Sequence, residues 1–404
     1  MTGVRRLVVV GAGLAGVRAA EAARQAGFTG TITMIGAETH LPYDRPPLSK
    51  AFLDDAEPTV PELVLGDELG VELVLGTPAT GLDTAGRAVL TGDRRVPYDA
   101  VVLATGATAR EVFDPAGLTG VHTLRTLDDA VAVRRALDAG ARTVVAGAGF
   151  IGSEVASGAR SRGLDVVVVE AQPVPLARAV GERMGAVCAD LHRRHGTDLR
   201  CGVSVAAVEG DGRVERVVLS DGSVLPADLV VAGVGATPAT DWLTGSGLQL
   251  DDGVVCDETL CAGPPGVYAA GDLARWRHPV FGRPLRVEHW TNAVEQARVA
   301  ARNAIDPAAA KPCSTVPYFW SDWYGRRIQF AGIPAADEVR IVEGEPGGDA
   351  PLVALYREGD RVAGALTVDG RARVMKYRAL IQRGASWEQA LARRTGTNRQ
   401  GVPG

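Results

Sequence analysis

Two glycine-rich loops carry the clearest chemical signal in this sequence of 404 residues. The pattern G-x-G-x-x-G occurs at residues 11–16 and again at residues 147–152, and each copy follows a run of apolar residues. The first glycine of such a loop allows a tight turn, the second lets a pyrophosphate approach the backbone, and the third lets a helix pack closely. The phosphate then lies at a helix N-terminus, where N–H groups and the helix dipole favour negative charge. Each loop therefore predicts a nucleotide site; the alternative is an ordinary glycine-rich turn.

Acidic residues near the second strand of each copy indicate which nucleotide is bound. In the second copy Glu170 ends an apolar strand, where a carboxylate binds the adenosine ribose hydroxyls. Such a carboxylate repels a 2′-phosphate and favours NADH over NADPH, although Arg178 lies eight residues further on. In the first copy the equivalent position is Gly36. Either Glu38 replaces the missing carboxylate or backbone groups hold the ribose.

A third glycine turn, Ala270-Gly271-Asp272, follows another apolar run. We expect Asp272 to lie between a strand and a helix, where its carboxylate accepts hydrogen bonds from a sugar-alcohol chain. A flavin has such a chain, the ribityl, and a nicotinamide cofactor does not. The alternative is that Asp272 only caps the helix that follows it.

These loops require strands and helices that occur in a repeated order. Each glycine loop is followed by a helix-like stretch and a second apolar run, at Thr31–Ile35 and Val166–Val169, so a βαβ unit occurs twice. Continuous apolar runs of this kind are typical of parallel strands buried on both faces. Two further buried-type strands that end in glycine turns occur at residues 99–110 and 228–240, and each closes a domain that one of these units opens. The strand near residues 266–275 has no βαβ unit of its own and is interpreted as the chain returning to the first domain.

The predicted fold class is α/β, with two Rossmann-like dinucleotide-binding domains, one inserted in the other, and a small C-terminal α+β domain. The predicted boundaries are 1–112 and 246–315 for a discontinuous FAD-binding domain, 113–245 for an NAD-binding domain and 316–404 for the C-terminal domain.

Composition excludes several other classes of protein. The net charge of −5 argues against nucleic-acid binding, and the five cysteines form no C-x-x-C pair or metal-ligand pattern, so no metal is predicted. The sequence has no apolar run of about 18 residues and no cleavable leader pattern, so we expect no membrane partner and a cytoplasmic location.

The sequence resembles the FAD-dependent pyridine nucleotide reductases of glutathione-reductase fold, and most of all the ferredoxin reductases of bacterial oxygenase systems. The resemblance covers essentially the whole chain and rests on the stretches GAGLAG (11–16), LPYDRPPLSK (41–50), LATGA (103–107), LRTLDDA (124–130), GAGFIGSE (147–154), AAGDLAR (269–275), VEHWTNAVEQAR (287–298) and YFWSDWYG (318–325).

The resemblance implies FAD and NADH as cofactors and assigns residues to each. The residues assigned to FAD are Gly11, Gly13, Leu14, Ala15, Gly16, Glu38, Arg45, Lys50, Ala79, Ala104, Thr105, Gly106, Arg125, Gly271, Asp272, His289, Trp290 and Ala293. The residues assigned to NAD are Gly147, Gly149, Phe150, Ile151, Gly152, Glu154, Glu170 and Gly235.

Lys50 and Glu154 are the candidate catalytic residues. Lys50 follows a rigid turn with two prolines, and near a flavin its ammonium would stabilise the reduced anion. Glu154 is expected on the first turn of its helix, where it either pairs with Lys50 or only complements the helix dipole. Phe150 either covers the flavin or packs in the core; Trp290 and Trp320 either border the flavin or belong to a core.

Disulfide reductases of this fold carry a C-x4-C pair near the position of residues 48–50, and this chain has no cysteine before Cys188. Electrons therefore cannot leave the flavin through a thiol relay. The expected acceptor is an acidic [2Fe–2S] ferredoxin that docks near Arg298 and the C-terminal domain and feeds an oxygenase or cytochrome P450. The alternatives are an NADH oxidase or quinone reductase of the same fold, and a flavoprotein like apoptosis-inducing factor.

The basic residues expected to attract the acceptor lie towards the end of the sequence. They are Arg371, Arg373, Lys376, Arg378, Arg383, Arg393, Arg394 and Arg399. The alternative for each of them is a solvated position on a helix surface.

Overall fold

The computed structural model describes residues 3–92, 94–111 and 117–392. Within these ranges the α-helices are α1 (Leu14–Gln25), α2 (Ala51–Asp54), α3 (Leu127–Asp138), α4 (Phe150–Ser161), α5 (Ala177–Arg194), α6 (Trp290–Ile305), α7 (Arg371–Gln382) and α8 (Trp387–Ala392). The strands are β1 (Arg6–Val10), β2 (Thr31–Ile35), β3 (Val71–Val74), β4 (Gly81–Asp83), β5 (Ala88–Thr91), β6 (Arg94–Pro97), β7 (Ala100–Leu103), β8 (Ala107–Ala109), β9 (Val121–Thr123), β10 (Thr143–Ala146), β11 (Val166–Glu170), β12 (Asp198–Cys201), β13 (Val205–Gly210), β14 (Val214–Leu219), β15 (Val224–Pro226), β16 (Leu229–Ala232), β17 (Ala236–Pro238), β18 (Val254–Cys256), β19 (Val267–Ala269), β20 (Ala274–His278), β21 (Arg283–Leu285), β22 (Tyr318–Trp323), β23 (Arg326–Gly332), β24 (Glu338–Glu343), β25 (Leu352–Glu358) and β26 (Arg361–Val368).

The described residues form two compact units. The first unit is built from Met1–Pro46, Val60–Thr108 and Ala236–Pro317. The second unit is built from Pro47–Thr59, Ala109–Gly235 and Tyr318–Gly404. The short segment that carries Lys50 therefore packs within the second unit, although the sequence on both sides of it belongs to the first. The division into three folding domains remains a prediction.

The first unit is organised around a five-stranded parallel sheet of order β19-β7-β1-β2-β3. Its central strand β1 is buried along Leu7–Val10, as expected for a parallel strand covered on both faces. Helices α1 and α6 contribute their alanine-rich faces to the same core. Strand β19 pairs with β7, which confirms that the chain returns to the first sheet after the second glycine loop.

The second unit repeats this arrangement in a parallel sheet of order β12-β11-β10-β16-β9. Strands β10, β11 and β16 occupy the places that β1, β2 and β7 occupy in the first unit. An ion pair recurs as well: Arg6 pairs with Asp99 at 2.7 Å and Arg142 pairs with Asp228 at 2.7 Å, each linking the starts of two neighbouring strands. The predicted duplication of the βαβ unit is confirmed.

The C-terminal part of the second unit contains an antiparallel sheet of order β22-β23-β26-β25-β24. Helix α7 packs on this sheet through buried Val374, Tyr377, Leu380 and Ile381. This agrees with the α+β character predicted for the C-terminal domain. No helix in the described ranges has the length and apolar character needed to span a membrane.

Candidate active site

The first glycine loop leaves room for a ligand only at its middle glycine. Gly11 has φ +118°, and a Cβ there would lie 2.1 Å from the carbonyl oxygen of Ala104. A Cβ on Gly16 would lie 1.9 Å from the carbonyl oxygen of Gly11. A Cβ on Gly13 would meet no atom within 4 Å. Gly11 and Gly16 are therefore needed for the turn and the helix packing, whereas Gly13 faces open space beside the start of α1, as a pyrophosphate site requires.

The second loop has the same geometry. Gly147 has φ +99°, and its added Cβ would lie 2.4 Å from the carbonyl oxygen of Gly233. At Gly152 the added Cβ would lie 2.1 Å from the carbonyl oxygen of Gly147. Gly149 is again open, with its nearest neighbour at 3.6 Å. The residues of both loops thus fit a dinucleotide, and the alternative of two ordinary turns does not explain the paired open glycines.

The third glycine turn brings three of the residues assigned to FAD together. A Cβ on Gly271 would lie 3.2 Å from the Cβ of Ala15 on α1 and 3.6 Å from that of Ala293 on α6. Asp272 does not precede a helix, which corrects our expectation. It lies inside a short 3-10 turn, Gly271–Leu273, that leads into strand β20. No α-helix begins there, so the alternative role of Asp272 as a helix cap is wrong.

The residue at the end of the second parallel strand differs between the two units: Gly36 follows β2 in the first, and Glu170 ends β11 in the second. A Cβ on Gly36 would lie 2.7 Å from the Cβ of Ala12 and 3.0 Å from Leu75, so no side chain fits at this position. Glu38, two residues later, supplies the nearby carboxylate. Its oxygens accept hydrogen bonds from the hydroxyl of Tyr43 at 2.5 Å and from the guanidinium of Arg45 at 2.6 Å.

Arg45 also interacts electrostatically with Asp272, the carboxylate of the third glycine turn. Burial lowers the pKa of Arg45, but the neighbouring Tyr43, Glu38 and Asp272 raise it above its ordinary value. The guanidinium is thus a fixed positive charge within reach of two groups assigned to FAD. Glu38, Arg45 and Asp272 therefore form one electrostatic cluster in the first unit.

The remaining residues assigned to FAD lie in both units. Trp290 donates from Nε1 to Asp44 at 2.7 Å, and Thr105 donates from its hydroxyl to the carbonyl oxygen of Ala239 at 2.9 Å. Burial lowers the pKa of His289 to about 4, although Asp272 opposes the shift. Leu14, Ala79, Ala104 and Gly106 also belong to the first unit, whereas Lys50 and Arg125 belong to the second.

Glu170 ends β11 beside the second glycine loop, as predicted. Its carboxylate accepts hydrogen bonds from the backbone N–H of Ala148 at 2.7 Å and from that of Gln172 at 2.8 Å. Ala148 lies between the first two glycines of the loop, so the carboxylate is fixed next to the phosphate site. Two backbone donors hold an ionised carboxylate in one orientation. Arg178 lies on the exposed side of α5.

Lys50 and Glu154 form an ion pair, as hypothesised from the sequence. Lys50 Nζ lies 2.7 Å from Glu154 Oε2, and the glutamate side chain is only 3% exposed. Lys50 is the N-cap residue of α2 and directly follows a 3-10 turn over Pro46–Ser49. Glu154 is the fifth residue of α4, so it lies beyond the first helical turn in which we expected it. A role restricted to the helix dipole is therefore wrong, because that effect fades within the first turn.

Two serines complete the surroundings of Glu154, and sequence reasoning did not identify them. Ser49 donates to Oε2 at 2.5 Å, and Ser321 donates to Oε1. Both lie in motifs quoted for the resemblance, RPPLSK and FWSD, but a buried hydroxyl has no periodicity or spacing that marks it as a hydrogen-bond donor. Only the fold brings residues 49, 154 and 321 together.

Aromatic residues near α4 pack against the C-terminal sheet. The ring of Phe150 lies 4.6 Å from that of Phe319, and the side chain is half-buried. Trp320 packs against a small cluster of Tyr318, Ala331 and Val374. Packing therefore accounts for part of the surface of each ring, and the role of Phe150 towards a flavin stays a prediction. Ile151 follows it on α4, and Gly235, with φ +107°, accepts a backbone bond from Arg110 at 3.0 Å.

The five cysteines do not offer a reactive thiol pair. Cys188, Cys256 and Cys313 are buried, and burial raises the pKa of Cys188 to about 12 and that of Cys313 to about 11. All five are free thiols. Thiols with such raised pKa values remain protonated and are poor nucleophiles near neutral pH.

The chain belongs to the pyridine nucleotide-disulphide oxidoreductase family, whose model matches residues 5–297. A second model, described as "Reductase C-terminal", matches residues 318–398. Members of this family use FAD and NADH, and the two glycine loops of this chain are built for these cofactors.

Named relatives resemble the chain over most of its length. It is 38% identical to rhodocoxin reductase of Rhodococcus erythropolis over 84% of this chain and 80% of the relative. It is 35% identical to putidaredoxin reductase of Pseudomonas putida over 90% of this chain and 88% of the relative. A solved structure, the covalent putidaredoxin reductase–putidaredoxin complex, matches with a TM-score of 0.89 and 33% identity, covering 94% of this chain and 93% of that chain.

Proposed function

We propose that this chain is an FAD-dependent NADH:ferredoxin reductase that supplies single electrons to a [2Fe–2S] ferredoxin of a cytochrome P450 or Rieske-type oxygenase system. The observation that carries this proposal is the pairing of two dinucleotide loops with a buried Lys50–Glu154 pair and no cysteine in the neighbouring segment. The names of the relatives support it, because they are reductases of ferredoxins such as putidaredoxin.

The first unit would hold FAD. Gly13 at the start of α1 would hold its pyrophosphate, Glu38 and Arg45 would bind on the adenosine side, and Asp272 would bind the ribityl chain. When bound, FAD accepts a hydride and returns electrons one at a time to a one-electron carrier. The second unit would hold NADH over Gly149, with Glu170 on the adenosine ribose. The fixed carboxylate of Glu170 also disfavours a 2′-phosphate, so NADH is preferred over NADPH.

Lys50 and Glu154 would act on the charge that hydride transfer creates. An ammonium held close to the reacting rings stabilises developing negative charge, and a buried site makes this effect stronger. Glu154 holds Lys50 in place through the 2.7 Å ion pair. Because residues 47–59 pack in the second unit, Lys50 and the NADH loop belong to one compact unit.

Electrons would leave without a thiol relay. The segment of residues 47–54 contains no cysteine, and the buried thiols of Cys188 and Cys313 have raised pKa values. A one-electron iron–sulfur protein is then the natural acceptor. This separates the chain from disulfide reductases that share its family name.

The acceptor would dock through basic residues. Arg298 is exposed on α6 of the first unit. In the second unit Arg371 and Lys376 are exposed on α7, and Arg383 is exposed directly after it. Arg373 is paired with Glu343 at 2.6 Å, and Arg378 lies over the ring of Tyr318. Arg393, Arg394 and Arg399, also named from the sequence, lie outside the described residues. An acidic ferredoxin would be steered to such a surface.

A coupled assay tests the function. Purified protein, NADH and cytochrome c are mixed with and without a [2Fe–2S] ferredoxin. Cytochrome c reduction that depends on the ferredoxin supports the proposal. Rapid consumption of oxygen or quinone without ferredoxin would instead indicate an oxidase or quinone reductase. Slow reduction of every acceptor would contradict a catalytic role in electron transfer.

Charge reversal tests the docking surface. Arg298→Glu should lower the rate of ferredoxin reduction and weaken its dependence on salt, because steering is lost. Arg327 is less suitable for this test because Asp322 already pairs with it at 2.6 Å. Arg135→Glu, on the exposed side of α3, is the control with the same charge change. An unchanged rate and salt dependence for Arg298→Glu would place docking elsewhere.

A further inference from the structure

Glu154 has more hydrogen-bond donors than an ion pair with Lys50 requires. Oε2 accepts from Ser49 at 2.5 Å and from Lys50 at 2.7 Å, and Oε1 accepts from Ser321. The carboxylate is 3% exposed, so these groups replace the water that would otherwise solvate it. Two of the three donors are neutral hydroxyls, which remain in place whatever happens to the ammonium.

Of the two hydrogen-bond partners of the Ser321 hydroxyl, only Glu154 can accept its proton. Trp323 donates from Nε1 to Ser321 Oγ at 2.8 Å, and both side chains are fully buried. An indole N–H donates and never accepts, so it cannot receive the serine proton. The hydroxyl of Ser321 therefore points its proton at Glu154.

The hairpin of β22 and β23 sets the position of Ser321 relative to α4. Its tight turn contains Tyr324 and Gly325, both with positive φ, at 53° and 76°. The backbone N–H of Tyr324 donates to Ser157 on α4 at 2.8 Å. Because Ser157 lies one turn after Glu154, this bond fixes β22 along the same helix that carries the carboxylate.

The side chain of Tyr324 fixes the hairpin a second time. Its hydroxyl is hydrogen-bonded to Nδ1 of His192 at 2.7 Å and to the hydroxyl of Thr197 at 2.8 Å. His195 stacks on the tyrosine ring with centroids 4.5 Å apart. The C-terminal sheet thus reaches the predicted NADH site through a rigidly held strand.

We propose that Ser321, oriented by Trp323, is a positioning residue that keeps the buried Glu154 carboxylate charged and correctly aimed while the Lys50 ammonium is shared with bound flavin. The inference rests on the proposed role of the Lys50–Glu154 pair in flavin reduction. A buried carboxylate that depends on lysine alone is left uncompensated whenever the ammonium turns away, which is costly in a site of low polarity. The two hydroxyls maintain the charge during that time and let Lys50 change partner.

The kinetic test follows flavin reduction by NADH in the FAD-loaded protein at several pH values, by stopped-flow absorbance. Ser321→Ala should slow the step about tenfold or more, the usual effect of losing a hydrogen bond to a charged group. The pH profile of the rate should change as well, because a hydroxyl that donates to a carboxylate favours its charged form. Ser321→Thr, which keeps the hydroxyl, should recover the pH profile. Ser161→Ala, which removes a hydroxyl elsewhere on α4, is the matched control.

A second measurement does not depend on electron transfer. Urea unfolding of flavin-free protein is compared for Lys50→Met and for Lys50→Met/Ser321→Ala between pH 4.5 and pH 8. The hydroxyl bond is strong only to the ionised carboxylate, so the stability difference between the two variants should shrink as pH falls. A difference that is constant with pH, together with an unchanged pH profile of the rate, would overturn the positioning role. If the unfolding difference varies with pH but NADH does not reduce the flavin, the proposed function fails and the positioning role survives.

Discussion

Equivalent positions in the two repeats are occupied by Gly36 and Glu170, and local packing explains the difference. Next to Ala12 there is no space for a side chain, whereas next to Ala148 a carboxylate accepts the backbone N–H. The first unit therefore obtains its carboxylate from Glu38, further along the chain and tied to Tyr43 and Arg45. A single glycine thus changes how one repeated fold recognises a nucleotide.

Removal of the Glu170 carboxylate should weaken NADH binding. Glu170→Ala removes the predicted acceptor for the ribose hydroxyls and frees two backbone donors. We expect KM for NADH to rise about 10- to 100-fold with little change in kcat, as for a lost charged hydrogen bond outside the reacting atoms. The ratio of activity with NADPH to that with NADH should rise. Steady-state kinetics with both coenzymes measure this, with Glu209→Ala on exposed β13 as control; an unchanged KM would remove Glu170 from the coenzyme site.

Loss of the Lys50 charge should slow flavin reduction. Lys50→Met keeps the length of the side chain but removes the ammonium that would stabilise negative charge beside the flavin. We expect stopped-flow reduction by NADH to slow by about 10- to 1,000-fold, a range typical of lost electrostatic stabilisation. Lys311→Met, at an exposed position of the first unit, should behave as wild type. Equal rates in the two variants would contradict an electrostatic role for Lys50.

At the scale of elements, the strand–loop–helix connection decides which glycines matter for folding and which for binding. Gly16 is crowded by the carbonyl of Gly11, and Gly13 faces open space. The two positions occur in one motif and are indistinguishable by composition. Because their surroundings differ, we expect substitution of Gly16 to affect stability and substitution of Gly13 to affect cofactor affinity.

Alanine at each of these glycines should have opposite consequences. Gly16→Ala forces its methyl group into the carbonyl of Gly11 and should destabilise the flavin-free protein by about 2–3 kcal/mol, as other overpacked sites do. Gly13→Ala should cost only about 1 kcal/mol of that stability, the usual penalty for alanine instead of glycine at a helix N-cap, because its methyl group meets no other atom. It should nevertheless weaken FAD binding, because the methyl group occupies the phosphate site. Urea unfolding and fluorescence titration with FAD measure the two effects; equal FAD affinity for Gly13→Ala and wild type would contradict the phosphate site.

The sequence predicted most elements because their signals are local. Apolar runs before each glycine loop identify β1 and β10, and the second apolar run of each βαβ unit identifies β2 and β11. The helix expected after Asp272 is absent because the chain turns directly into β20, and the turn there follows from packing of Gly271 on two helices rather than from its own residues. Ser49 and Ser321 were not predicted because each acts through a contact with Glu154 that is distant in sequence. The separation is 105 positions for Ser49 and 167 positions for Ser321.

At the scale of the whole molecule, acid stability depends on groups that are buried or paired on folding. Asp99 and Asp228, at equivalent places in the two units, have pKa values lowered to about 2 by hydrogen bonds from Arg6 and Arg142. Their contribution is present above the unfolded pKa near 4 and is lost as pH falls towards 2. His192 acts at higher pH, because burial lowers its pKa to about 4.

The sign of the His192 effect follows from proton binding. In the unfolded chain the imidazole binds a proton below pH of about 6.5, whereas the folded protein keeps it neutral until about pH 4. Unfolding therefore takes up a proton in this window, and stability falls as pH falls from about 6.5 to 4. A difference of this size corresponds to at most about 3 kcal/mol.

Replacement of His192 by a side chain that does not titrate should remove this part of the acid sensitivity. His192→Gln should be less stable than wild type at pH 7.5, because the bonds to Tyr324 and Ser153 are disturbed. Between pH 6.5 and pH 4 its stability should decline less steeply than that of wild type, so the two curves converge. Urea unfolding at half-unit intervals of pH measures the slopes, and parallel curves for wild type and His192→Gln would show that His192 is protonated equally in the folded and unfolded chain.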